Sequence, residues 1–136
     1  MIEVSGGLAA VTSALASGLE EIPGLRVFDH VPDTVVPPAA LIQFPETLRN
    51  PQDVRGNWGE EITRWAYRIP ISLILGRVSE RDLRERYDQY VQEVLRVLPR
   101  VQLCHLHVLE IRRPRQISYG GIDVMQADVL VEVWAA

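Results

Sequence analysis

The sequence predicts an α+β domain: a single mixed, mostly antiparallel sheet of four to five strands with two helices packed on one face. Three observations carry this. Residues 65–75 alternate apolar and polar side chains with a period of two. Two other stretches, beginning near Leu8 and near Ser79, repeat their apolar residues at three- and four-residue steps. The elements follow in the order α-β-β-β-α-β-β, which is not the strict alternation of a doubly wound parallel sheet. A chain of 136 residues has room for one core, so residues 1–136 form one domain.

The first helix has Ser5 as a candidate N-cap and Leu8, Val11, Leu15, Leu19 and Ile22 as its buried stripe. Pro23-Gly24 ends it, because proline has no N–H to donate and glycine accepts positive φ. This segment also resembles the apolar part of a signal peptide, but its only early charge is Glu3, and a signal needs a basic start. Leu25–Phe28 reads as a short strand, and the prolines at 32, 37 and 38 hold the following chain extended. Residues 39–44 read as a buried strand closed by Pro45, and 48–60 as a long polar loop.

The alternating strand 65–75 follows. Pro70 predicts that it lies at an edge or is bulged there. Ser79 and Asp82 form a capping-box-like start to the second helix, whose stripe is Leu83, Tyr87, Tyr90, Val91, Val94 and Leu98. Residues 102–112 and 122–134 are the last strands, joined through Tyr119-Gly120-Gly121. In the final strand Met125, Ala127, Val129, Val131 and Val133 share a face fit to lie under helices. The other face, from Ile122 and Val124 to Leu130 and Trp134, mixes apolar with polar residues.

Composition excludes several chemistries. All fourteen basic residues are arginine, so there is no Schiff-base lysine and no lysine for a Walker-type phosphate loop. A single cysteine, Cys104, excludes an intramolecular disulfide framework and a cysteine-based zinc finger. A net charge of -4 argues against an extended basic surface for nucleic acid. No stretch approaches the ~18 apolar residues of a membrane span. The adjacent Glu60 and Glu61 do not make a facing carboxylate pair, and no nucleophile elbow is present.

Three groups of residues remain as candidates. His105 and His107 are two apart on a strand and project from one face, as two metal ligands would; sheet-lining histidines have the same spacing. Arg112, Arg113 and Arg115 flank Pro114 as a patch for phosphate or an acidic partner, or as a solvated loop that caps a strand. Trp58, with Arg55 and Asn57 in the polar loop, either grips a partner or packs back on its own domain. Leu130 and Trp134 on the mixed sheet face complete the candidate subunit contacts.

Three runs of residues carry a resemblance. They are Ile22-Pro23-Gly24-Leu25-Arg26-Val27-Phe28-Asp29-His30-Val31-Pro32-Asp33 with Pro37-Pro38-Ala39-Ala40, Ile69-Pro70-Ile71-Ser72-Leu73-Ile74-Leu75-Gly76-Arg77-Val78-Ser79, and Gly120-Gly121 through Val133. In this order, over nearly the whole chain, they resemble the tail terminator (minor tail, tail-completion) proteins of long-tailed bacteriophages. Family members often carry an extra polar loop or short helix after the second helix, whereas here Leu98-Pro99 leads almost directly into the next strand.

The resemblance implies a virion structural protein with no cofactor, no metal and no active site, not an enzyme. It implies a homo-oligomeric ring, a hexamer, which stops tube polymerisation and offers the head-joining surface. Its partners would be other copies of itself, the tail tube protein and a head-tail connector protein, with DNA passing through without specific binding. Its place would be the head-proximal end of the tail, after assembly in the host cytoplasm. The alternatives are a head-tail connector or neck ring and, from another class, a small metal-dependent enzyme built on His105 and His107.

Overall fold

The computed structural model describes residues 7–49, 65–76, 79–101, 103 and 105–135. Among these the order is α1 (Leu8–Leu19), β1 (Arg26–Phe28), β2 (Ala39–Ile42), β3 (Thr47–Arg49), β4 (Trp65–Gly76), α2 (Glu80–Val97), β5 (His105–Ile111), β6 (Arg115–Tyr119) and β7 (Ile122–Ala135), with a 3-10 turn at Leu98–Arg100. The class is α+β, as the sequence predicts, with one mixed sheet and two helices.

β4 and β7 are the long strands and lie side by side, antiparallel, from Trp65↔Ala135 to Ile74↔Gln126, with a register shift before Gly76. β2 and β3 follow one another along the free side of β4, and β6 and β5 along the free side of β7. β1 lies outside β2 and is parallel to it, the one parallel pairing among the described strands. The sheet is therefore five strands wide, β1-β2-β4-β7-β5, but holds seven strands. The sequence reading of four to five strands missed β3 and β6. Both are continuations of neighbouring strands past breaks at Phe44-Pro45 and at Arg112-Arg113-Pro114. A short strand that resumes after such a break has too few residues to show a period.

Pro70 requires a correction. It lies in the middle of β4, which is paired on both sides, not at an edge. In an antiparallel strand the N–H and C=O of one residue point toward the same neighbour. The Pro70 carbonyl accepts from the Gln43 N–H (3.0 Å), and the next bond along that side runs from the Glu46 N–H to the Arg68 carbonyl (2.7 Å). The missing proline N–H thus faces the break between β2 and β3, where the ladder is already interrupted.

Both helices pack on one face of the sheet. Val11, Leu15 and Leu19 of α1 and Tyr90, Val94 and Val97 of α2 meet Ile69, Ile71, Leu73 and Leu75 of β4 and Ala127, Val129, Val131 and Val133 of β7 in a single core. Each such valine, leucine or isoleucine side chain, fully buried, contributes about 1.5–3 kcal/mol. The cap on α2 forms as its sequence suggests: Ser79 Oγ accepts from the Asp82 N–H at 3.2 Å. Arg86 Nη1 then donates to the Leu75 carbonyl (2.9 Å), docking the first half of the helix on the end of β4. Ser5 lies outside the described residues, and α1 follows Gly7 at φ 66°.

Gly18 in α1 is where the turn after α2 comes closest. A Cβ there would stand 2.5 Å from Cγ2 of Val101, a branched side chain with little freedom to move aside. Gly18→Ala gains about 1 kcal/mol of helix propensity but overpacks this contact, at a cost of about 1–3 kcal/mol. The expected outcome is a net loss of stability in chemical denaturation; a gain would mean that α1 and Val101 are not in contact.

Candidate functional site

Even-numbered residues of β4 and β7 point away from the helices, and the register sets them in rows with their neighbours. Leu41, Ser72 and Asp128 share one row; Gln43, Pro70, Leu130 and Glu110 the next; Thr47, Arg68, Glu132 and His107 the third. This helix-free face is the mixed face of the sequence reading. Most of its central residues are nonetheless buried, including Ser72 at 0% and Leu130 at 6% exposure.

Two structures cross the face and cover it. At one end the connection 29–38 lies over it: Phe28 and Val35 pack with Ala39, Leu41, Ile74, Ile117, Tyr119 and Val124 in a second apolar cluster. The Tyr119 hydroxyl donates to the Pro32 carbonyl, tying the connection to β6. Burial, and then the Asp33 carboxylate, push the Tyr119 phenol above its ordinary value. In the middle, Arg112 Nη1 meets Glu46 Oε2 at 3.5 Å. These residues belong to chain segments on opposite sides of the β4–β7 pair, about three strand spacings or 14 Å apart.

Beneath them lies a polar cluster that satisfies itself. Ser72 Oγ donates to Asp128 Oδ1 (2.8 Å) and accepts from Gln43 Nε2 (3.0 Å) and Gln126 Nε2 (3.3 Å). Gln126 Nε2 also donates to Asp128 Oδ1 (2.9 Å). The second Asp128 oxygen faces Arg115 Nη2 at 3.7 Å and Arg112 Nη1 at 4.0 Å. Asp128 is thus a hub that joins the buried amides and hydroxyl to the basic corner between β5 and β6.

The arginine cluster is met by carboxylates of its own chain. Arg112 Nε donates to Glu110 Oε2 at 2.6 Å. That bond, with the nearby Glu46 and Asp128 charges, raises the Arg112 guanidinium further above its ordinary value. Arg112, Arg113, Arg115 and Asp128 line a cleft at this corner, with Glu46 and Glu110 at its margin. Arg112 and Arg115 face the Glu46, Glu110 and Asp128 carboxylates, which offset the field they could offer a phosphate, while Arg113 has no ion pair among the described residues.

His105 and His107 do share a face, and their rings meet edge-on at 4.1 Å between centroids. His105 also lies against Trp134, its directly paired residue, at 4.2 Å. Among the described residues no three His, Cys, Asp or Glu side chains are grouped to hold a metal ion. Trp134 is half-buried in this stack, and its indole N–H has no hydrogen-bond partner among the described residues. The other histidine, His30, bonds its neighbour Asp29 at 2.8 Å. Arg55, Asn57 and Trp58, and Cys104, Glu60 and Glu61, lie outside the described residues.

Leu130 is covered by its own chain, which corrects its place among exposed contact residues. The accessible apolar side chains stand elsewhere: Phe44 (80% exposed) in the break between β2 and β3, Leu48 on β3, Leu109 at the register shift in β5, Leu95 on α2, and Val31, Val36 and Ile122 (54%) at the end of the sheet. Phe44 escaped the sequence reading because it looked like the last residue of a buried strand. The Phe44-Pro45 pair was its one available signal, since proline ends the ladder there.

Two outcomes follow from this geometry. Asp128→Ala removes the acceptor of Ser72 and Gln126 and costs about 2–3 kcal/mol in denaturant unfolding, while Glu110→Ala, at an exposed ion pair, changes stability by less than about 1 kcal/mol. Tyr119 is neutral in the folded chain, and its raised value means that the stability it contributes is present below the ordinary tyrosine value and is lost as pH rises through the folded one. Tyr119→Phe therefore lowers stability near neutrality by about 1 kcal/mol and removes one late-titrating group from the tyrosinate absorbance curve.

No family model matches this chain, and no curated protein matches it.

Proposed function

We propose that this chain is a phage structural subunit that closes into a ring on the end of the tail tube, stops its polymerisation and presents the surface that joins the head. In this reading it works by contact and carries no cofactor. The ring belongs to the virion, at the head-proximal end of the tail. Its partners are further copies of itself, the tube protein and a connector protein, and DNA passes through the lumen without specific contacts.

The observation that carries this reading is the distribution of exposed apolar side chains. Some stand on the two sides of the sheet, Phe44 and Leu48 on one and Leu109 on the other, and the rest at its end (Val31, Val36, Ile122) and on α2 (Leu95). A ring of identical subunits needs two different contact surfaces on each copy, because a head-to-tail contact joins unlike patches. The resemblance adds to it. Its three runs fall on the turn after α1 with β1 and the start of β2, on β4 leading to α2, and on the turn into β7 with most of that strand.

The test adds purified chain to polymerising tail tube protein and measures tube length by electron microscopy, beside tails from a phage lacking the gene. Shortened tubes in the first experiment and overlong tails in the second are the expected results. Tails of normal length that lack heads would favour a connector and overturn the terminator reading.

A further inference from the structure

We draw no further inference here: the strongest candidate, the apolar recess that Thr34, Val35, Pro37, Tyr119, Ile122 and Val124 line at the end of the helix-free face, carries none because nothing in the structure shows what fills it.

Discussion

The pairing of β4 with β7 is the constraint on which the rest of the molecule depends. Over this long antiparallel register, odd-numbered residues of both strands stand on one face and even-numbered residues on the other. A shift of one residue would turn Ile69, Ile71, Val129 and Val131 away from the helices and put Ser72 and Asp128 under them. Register here is therefore fixed by free energy on both faces at once. One face must meet α1 and α2, and the other must bring a carboxylate, a hydroxyl and two amides within hydrogen-bonding distance.

The second requirement is the more demanding. Burying apolar side chains is tolerant of small rearrangement, whereas a buried polar group left without a partner costs about 1–3 kcal/mol. Ser72 of β4 bonds Gln43, just past the end of β2, and Gln126 and Asp128, both of β7, so its hydroxyl checks the alignment of β2, β4 and β7 together. The arginine corner extends that check to the far edge of the sheet: Arg112 and Arg115 approach Asp128, and the Arg112 N–H donates to the Asp128 carbonyl (2.8 Å). The Glu46–Arg112 contact then joins chain segments that no strand pairing connects. A sheet with helices on one side only is in this way covered on the other by its own connections.

Much of this fold could be read from the sequence, for physical reasons that differ by element. Period-two and period-3.6 patterns located β4, β7 and both helix stripes, and Ser79 with Asp82 located the start of α2. Pro70 misled, because a proline reports that one ladder bond is missing but not whether the neighbouring strand happens to break there. The buried polar cluster was illegible for a related reason. Alternation says which residues share a face, and Gln126, Asp128 and Glu132 on alternate positions look the same whether that face meets water or is crossed by a connection from elsewhere in the chain. The candidate site suffered most. Leu130 and Trp134 were read as exposed from their face alone, while Phe44 was read as buried from its strand alone; coverage is set by contacts far apart in sequence, such as Tyr119 with Pro32.

These two reversals move the accessible apolar side chains from the face of the sheet to its margins. A face whose polar groups already bond one another offers an incoming protein few unsatisfied donors or acceptors, and opening it to make new contacts would first break the Asp128 cluster. Its apolar residues are spent in the same way: Leu41, Ile74 and Val124 are buried against Val35 and Phe28. What remains accessible includes Phe44 in the break between β2 and β3, Leu109 at the register shift in β5, and a recess at the end of the sheet lined by Val35, Pro37, Tyr119, Ile122 and Val124. Interface affinity is concentrated in a few well-packed anchors and not spread evenly over area, and on this chain two of the exposed apolar side chains, Phe44 and Leu109, stand where the ladder is interrupted. The break that hides β3 from sequence reading is therefore also what leaves an apolar side chain exposed. The proline that ends a ladder at Pro45 leaves Phe44 outside it, and the internal tie at Pro32 leaves a recess beside it.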